Sequence, residues 1–164
     1  MPIILGIDPG LAATGYGVIR REGSSVQCLD FGVIRTDADA EHGQRLAVID
    51  EAVNELLLRY QPVKAGIEAL YFTKNVTSAI PVAEARGVIL LALHRAGILA
   101  REYTPQQIKL AVVGTGSADK EQVMQMVRVV LGYPTVPRPD HAADALAAAI
   151  TRMNDPEDSL LGGH

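Results

Sequence analysis

The sequence contains few of the residues that indicate a secreted or disulfide-stabilised protein. It has one cysteine, Cys28, and no tryptophan, and aromatic residues make up 4% of its 164 residues. A single cysteine excludes an internal disulfide and is typical of a protein in a reducing cytoplasm, so we expect a cytoplasmic location. Because aromatic residues are scarce, the core must be built from Ala, Val, Ile and Leu, which is usual for an α/β protein.

The sequence also lacks the patterns of a signal peptide and of a membrane span. Residues 1–8, "MPIILGID", have no basic region followed by a long apolar stretch. No apolar run approaches the roughly 20 residues that a transmembrane helix needs, so we expect no membrane association. The formal net charge of −4 mildly disfavours general nucleic-acid binding. A local basic face beside an acidic catalytic centre is still compatible with that charge.

The order of the apolar segments predicts an α/β fold. Three β-rich segments come first and suggest an antiparallel meander, and the later strands alternate with helices, which implies parallel crossovers. We predict one domain over residues 1–152, with a five-stranded mixed sheet and helices on both faces. In its second half we predict a helix that begins at Pro81, since proline is tolerated in a first turn. Residues 153–164 are polar and acidic, and we expect a flexible tail there.

Acidic residues lie at the ends of two predicted strands and on the last helix. Asp8 ends the first strand and Glu68 ends the fourth, so the two side chains converge if these strands are neighbours. His141 and Asp144 are three residues apart and share one helix face. Some of these positions also have a structural explanation: Asp8 starts a turn, His141 is structural or exposed, and the adjacent Asp140 caps the helix. Asp144, four residues into an alanine-rich helix, is harder to explain in this way.

A cluster of carboxylates is stable only if its charges are balanced. Like charges repel one another, and their burial is costly. A divalent cation solves both problems, since carboxylate oxygens are the ligands that Mg²⁺ and Mn²⁺ prefer. Two such ions, about 3.5–4 Å apart, can bind the attacking and leaving oxygens of a phosphodiester. The pattern therefore favours metal-dependent phosphodiester hydrolysis.

Five sequence blocks, in order and at family spacing, carry a resemblance to the RuvC family of Holliday-junction resolvases. They are "GIDPGLAATGYGVI", "GIEALYFTKNVTSA", "EARGVI", "QIKLAVVGTGSADKEQV" and "HAADALAAAI", within roughly residues 1–152. The resemblance implies an RNase H-like fold and a homodimer. It implies divalent-metal-dependent, paired symmetric nicking of four-way DNA junctions in recombination and repair, which leaves 5′-phosphate and 3′-hydroxyl ends. It also implies cooperation with a branch-migration motor of the RuvA and RuvB type.

Carried over by position, the resemblance implies a catalytic and metal-binding centre at Asp8, Glu68 and Asp144, with two cations per site. The fourth ligand falls at His141, where many relatives resemble "DAAD" and have an acid. Asp140 is one residue away and points about 100° around the helix, so we expect His141 to be the ligand. Imidazole suits transition metals better than Mg²⁺, so we predict a preference for Mn²⁺ and a loss of activity as His141 becomes protonated. General-base and phosphate-binding roles for His141 stay open.

Basic residues and a glycine-rich turn are candidates for DNA binding. Lys109 and Lys120 match family positions for basic residues near the DNA backbone, where an ammonium binds phosphate. Each is otherwise a solvated helix residue. The turn that contains Gly114, Gly116 and Ser117 either presents backbone N–H groups to a phosphate or only caps and turns the chain.

The segment after Glu68 is the other candidate DNA contact. Tyr71 occupies a position that is usually aromatic in the family, and we expect it to stack on an unpaired base at the junction. Phe72 either contacts DNA or belongs to the core. Lys74 and Asn75 are candidate backbone contacts.

The helix "PVAEARGVILLALHRAG" is the candidate dimer interface. It is apolar on more than one face, and Ala83, Ala85 and Gly87 permit close approach. A two-fold symmetric dimer supplies the two identical sites that paired nicks need. The same helix also suits the centre of the core.

Two other functions fit parts of the sequence. A catalytically silent module would bind four-way junctions with or without metal and never cut them. The block "GIDPGLAATG" also resembles the first phosphate loop of actin-like ATPases and sugar kinases. Those proteins need a second lobe and a second glycine-rich loop, which this chain is too short to contain.

Overall fold

The computed structural model describes residues 1–70 and 75–156. Its strands form one sheet in the order β3-β2-β1-β4-β5. The elements, in chain order, are β1 (Ile3–Asp8), β2 (Ala13–Glu22), β3 (Ser25–Arg35), α1 (His42–Tyr60), β4 (Lys64–Glu68), α2 (Val76–Arg95), β5 (Leu99–Tyr103), α3 (Pro105–Val113), α4 (Lys120–Leu131) and α5 (Asp140–Met153).

The sheet is mixed, as predicted. β1 to β3 form an antiparallel meander, whereas β4 and β5 run parallel to β1. Ile7 pairs with Ile67, so Asp8 and Glu68 end adjacent parallel strands at the same edge. The α/β class, the five-stranded sheet and the neighbourhood of β1 and β4 are therefore confirmed.

Side chains alternate between the two faces of β1, and each face has its own helix layer. Leu5 and Ile7 pack into the core with α1 and α2. Ile4 faces the opposite core, which α3, α4 and α5 form. Asp8 is two alternations beyond Ile4 and therefore lies on the α5 side of the sheet.

Helix α5 lies directly on the backbone of the sheet, because glycines face it from three adjacent strands. A Cβ atom added to Gly6 would lie 1.9 Å from the Ala145 carbonyl oxygen, and one added to Gly15 would lie 1.9 Å from the His141 carbonyl oxygen. A Cβ atom added to Gly66 would lie 2.5 Å from the Ala148 carbonyl oxygen, and one added to Gly17 would lie 2.5 Å from the Leu146 side chain. The alanines of α5 are buried because of this contact, and the start of α5 is held beside the end of β1.

Helix α2 begins five residues earlier than expected. It starts at Val76, so Pro81 lies inside the helix rather than in its first turn. Proline has no N–H to donate to the carbonyl four residues earlier. Here that carbonyl belongs to Thr77, in the exposed first turn of the helix, where water can reach it.

Helix α2 also differs from the expectation that no segment approaches a membrane span. An 18-residue stretch of this 20-residue helix has a mean hydropathy of 1.6. By length and composition, α2 is therefore long and apolar enough to cross a membrane. A helix packed in a protein core meets the same criteria. Ala85, Ile89 and Leu93 of α2 are fully buried against the sheet and α1.

The described part of the predicted tail is partly bound to the sheet. Asp155 accepts a hydrogen bond from the Tyr103 hydroxyl at 2.6 Å and pairs with Arg101 at 3.3 Å. Asn154 accepts a hydrogen bond from Arg21. Asn154 and Asp155 thus contact the sheet, the flexible tail from residue 153 stays a prediction, and residues 157–164 lie outside the described range.

We predict that Gly15→Ala destabilises the protein by roughly 3 kcal/mol, because the added methyl meets a helix backbone that cannot yield locally. The measurement is urea unfolding. Gly116→Ala is the matched control, since its methyl would meet only the flexible Gln106 side chain. Equal stability of the two variants would contradict the close-approach account.

Candidate metal centre

Three carboxylates meet where β1, β4 and α5 come together. Asp8 and Glu68 reach the site from adjacent strand ends, and Asp144 reaches it from the second turn of α5. One ligand oxygen from each of the three lies within 4.8 Å of the others. We call Asp8, Glu68 and Asp144 the acidic trio. The structure thus brings together three of the four residues predicted as ligands.

The acidic trio is electrostatically unfavourable without a cation. Burial, with repulsion from Asp144, raises the pKa of Asp8, and burial, with repulsion from Asp8, raises the pKa of Glu68. Their proximity to each other adds to the rise at Glu68, whose pKa is raised to about 8, while that of Asp8 is raised to about 6. Burial also raises the pKa of Asp144, and the neighbouring Lys120 opposes that rise.

His141 lies beside the acidic trio and contacts it through Asp8. Its Nδ1 is 3.0 Å from Asp8 Oδ2, and its ring is half-exposed. This contact orients the Asp8 carboxylate. His141 does not belong to the group of residues whose ligand atoms lie within 4.8 Å of one another, and its role as fourth ligand stays a prediction.

Asp140 differs from its expected role as helix cap. The N-cap residue is Pro139, and Asp140 is the first residue of α5. The Asp140 carboxylate is directed to Arg138, at 3.3 Å, and to Lys120, at 4.0 Å. An acid in the first turn still stabilises the helix through its dipole, which explains why the residue type suits the position.

The donor set of the acidic trio fits a hard divalent cation. All its donors are carboxylate oxygens, which are preferred ligands of Mg²⁺ and Mn²⁺. The raised pKa values of the three acids mark a negative charge that the protein alone does not neutralise. The arrangement can therefore hold divalent metal at a surface cavity.

The two predicted DNA-binding lysines border that cavity. Lys109 and Lys120 line a space of about 240 Å³ together with Glu68 and Asp144. Lys120 Nζ is 3.5 Å from Asp144 Oδ2. A phosphate that approached the acidic trio through this opening would meet both ammonium groups.

The glycine-rich turn after α3 has a clear structural role. Gly114 is the C-cap of α3, with a φ of 98°, in the left-handed region that favours glycine. Ser117 donates its backbone N–H to Thr115 Oγ1 at 3.3 Å. Gly116 lies against Gln106. A phosphate-binding role of this turn stays a prediction.

The segment after Glu68 is described only in part. Asn75 is exposed and is the N-cap of α2, without a side-chain capping hydrogen bond. Its amide is thus compatible with the predicted backbone contact. The predicted contacts at Tyr71, Phe72 and Lys74 lie outside the described residues.

Sequence reasoning missed two features that position the site. The first is the set of glycines under α5, with one in "ILGID", two in "TGYGV" and one in "KAGIE". The two in "TGYGV" are two residues apart and therefore lie on one face of their strand. That spacing, next to an alanine-rich helix, is a usable signal of close packing. The second is the pairing of Asp140 with Lys120, for which the sequence contains no signal, because the two residues lie 20 apart on different helices.

We predict that the metal-free protein loses stability as pH rises from 5 to 8, and that Asp8→Asn reduces this loss. The folded pKa values of Asp8 and Glu68 are raised above those of the unfolded chain. The folded state therefore binds more protons, and its advantage disappears as these protons leave. Thermal melts in chelator test this. A pH dependence that is identical in wild type and Asp8→Asn would contradict it.

Comparison with known proteins identifies the family of the chain. Residues 4–152 match the family model described as crossover junction endodeoxyribonuclease RuvC. A relative of that name from Treponema denticola is 52% identical over 153 residues, which is 93% of this chain and 86% of the relative. Another from Heliobacterium modesticaldum is 49% identical over 90% of this chain and 91% of its own.

Solved structures agree with this comparison. Thermus thermophilus RuvC is 38% identical, with a TM-score of 0.86 over 91% of this chain and 92% of its own. The same protein in complex with a Holliday junction substrate has 37% identity and a TM-score of 0.88, with 92% of each chain covered. These neighbours confirm the RNase H-like fold. The chain belongs to the RuvC family of crossover junction endodeoxyribonucleases.

Proposed function

We propose that this crossover junction endodeoxyribonuclease resolves four-way DNA junctions by paired symmetric nicks, with two divalent cations at each centre. The observation that carries the proposal is the acidic trio, within 4.8 Å on adjacent elements and bordered by two lysines. Thermus thermophilus RuvC, which is similar over nearly the whole chain, is known in complex with a Holliday junction substrate. That likeness supports the junction as the substrate of this chain.

The chain's own residues have distinct tasks in hydrolysis. Bound divalent cations supply Lewis acidity for the attack of water on phosphorus and neutralise charge on the leaving oxygen. Asp8 and Glu68 hold them from rigid strand ends, and Asp144 closes the site from α5. Hydrolysis of this kind needs no covalent enzyme intermediate and leaves 5′-phosphate and 3′-hydroxyl ends that a ligase can seal.

The lysines have the task of placing the phosphate. Lys109 and Lys120 line the cavity above Glu68 and Asp144. Their ammonium groups attract the DNA backbone and reduce its repulsion from the acidic trio. His141, through its 3.0 Å contact, keeps Asp8 oriented.

We predict that Asp144→Asn abolishes nicking of a four-way junction while junction binding persists, because it removes a metal ligand and leaves the lysines intact. A denaturing gel of end-labelled junction and linear duplex, with Mg²⁺ or chelator, gives the cleavage. Asp50→Asn, on α1 across the sheet, is the matched control and should cleave normally.

Three results would contradict the proposal. Tight junction binding without nicks in any metal would favour the catalytically silent module. Cleavage by Asp144→Asn at the wild-type rate would remove the acidic trio from the chemistry. ATP turnover instead of cleavage would favour the actin-like or sugar-kinase alternative.

We further propose that Mn²⁺ supports nicking better than Mg²⁺, because His141 brings an imidazole nitrogen to the edge of the trio in place of a carboxylate. His141→Asp should lower the ratio of the Mn²⁺ rate to the Mg²⁺ rate by about tenfold, since it restores an oxygen ligand and a negative charge. Nicking rates in each metal measure this ratio. An unchanged ratio would exclude His141 as the source of metal preference.

The exposed face of α2 is the proposed dimer interface. Ile80 and Leu91 are half-exposed apolar residues, and Gly87 lies between them on the same face. A Cβ atom at Gly87 would meet nothing within 4 Å in the protomer. Glycine within a helix costs about 0.5–1 kcal/mol relative to alanine, and the described residues of this chain offer no packing reason for it. Close approach of a second α2 supplies one.

We predict that Gly87→Arg converts a dimer into monomers, since the long cation would occupy the approach. Sedimentation equilibrium measures the change. Leu58→Arg, at an exposed position on α1, is the matched control and should remain dimeric. A dimer that survives Gly87→Arg would place the interface elsewhere.

Two further parts of the proposal concern the partner and the location. A branch-migration motor of the RuvA and RuvB type is the expected partner of a junction resolvase. A cytoplasmic location fits the free Cys28 and a DNA substrate.

A further inference from the structure

The ammonium of Lys120 lies between two carboxylates of α5. Lys120 is the first residue of α4, and its Nζ is 3.5 Å from Asp144 Oδ2 and 4.0 Å from Asp140 Oδ2. Asp140 and Asp144 are four residues apart and therefore lie one turn apart on the same face of α5. One cation of the protein is thus shared between a residue of the acidic trio and a residue outside it.

The two carboxylates differ in depth. The Asp144 side chain is 22% exposed, whereas that of Asp140 is 58% exposed and also pairs with Arg138. Asp144 belongs to the acidic trio, and the more exposed Asp140 lies outside it, toward solvent. A movement of the ammonium from Asp144 toward Asp140 is therefore a movement away from the trio.

This arrangement sets up a competition for Asp144. A divalent cation that uses an Asp144 oxygen must displace the ammonium from it or accept repulsion from a charge a few ångströms away. Displacement is easier if the ammonium keeps another carboxylate partner. Asp140 is such a partner, since its Oδ2 is 4.0 Å from the Lys120 Nζ and it lies outside the acidic trio.

We propose that Asp140 is a positioning residue of the nuclease centre, which holds the Lys120 ammonium at the mouth of the site and so limits its competition with divalent metal for Asp144. The inference rests on the proposed metal centre. Asp140 itself binds no metal in this account and acts through Lys120.

A double-mutant cycle tests this, with Mn²⁺ binding to the DNA-free protein read from the electron paramagnetic resonance of the free ion. Asp140→Asn should weaken Mn²⁺ binding by about two- to fivefold, the range expected for exposed ion pairs. Lys120→Met should strengthen it by a similar factor. In the Lys120→Met background, Asp140→Asn should have little further effect on Mn²⁺ affinity, because the ammonium through which Asp140 acts is absent.

Two controls separate this role from simpler ones. Lys109→Met removes a cation from the same cavity that makes no described contact with Asp144, and it should change Mn²⁺ affinity little. Asp140→Glu restores the carboxylate and should restore affinity. A thermal melt of each variant in chelator confirms that it folds.

The outcomes distinguish the inference from the proposed function. If Asp140→Asn weakens Mn²⁺ binding equally in both backgrounds, Asp140 acts through its charge alone and the positioning role is wrong. The same holds if Lys120→Met leaves the affinity unchanged. If the wild-type protein binds no Mn²⁺ at all, the metal centre itself is wrong, and the positioning role falls with it.

Discussion

The contact between α5 and the glycines of three strands is the constraint on which the rest of the site depends. A helix that packs on a sheet is normally separated from it by the side chains of both elements. Here Gly6, Gly15 and Gly66 remove those side chains, so α5 rests on the strand backbones. The first turns of α5 then lie level with the end of β1. Without that contact, Asp144 would stand too far from Asp8 and Glu68 to share a ligand with them.

The close approach of the three carboxylates forms the site and also destabilises the metal-free protein. Burial raises the pKa of all three acids, Asp144 adds to the rise at Asp8 and Glu68, and Asp8 adds to the rise at Glu68. Lys120 offsets part of this charge from the edge of the site. Metal binding supplies the rest and does not require the strands to move, because the ligands sit on adjacent parallel strands and a packed helix. The fold holds the carboxylates in an electrostatically unfavourable arrangement, and the binding of cations would reduce their repulsion.

Much of the fold was predictable from local patterns. The apolar runs and helical spacing predicted all five strands and the sheet class, and strand-end positions predicted that Asp8 and Glu68 meet. The start of α2 was not predictable from Pro81, because proline prefers the first turn of a helix but is also found further along it, as in α2. The Asp140–Lys120 pair was equally hidden, since it arises from the packing of α4 on α5. Patterns along the chain predict helices and strands well. They predict contacts between helices that are distant in sequence poorly.

The account's central claim is that Asp8, Glu68 and Asp144 together form a divalent-metal site. The most direct measurement is a crystal structure with Mn²⁺, located by anomalous scattering. We predict anomalous peaks bordered by carboxylate oxygens of all three residues, with the Lys120 ammonium drawn back from Asp144. Peaks elsewhere on the protein, with no peak bordered by the three carboxylates, would contradict the claim.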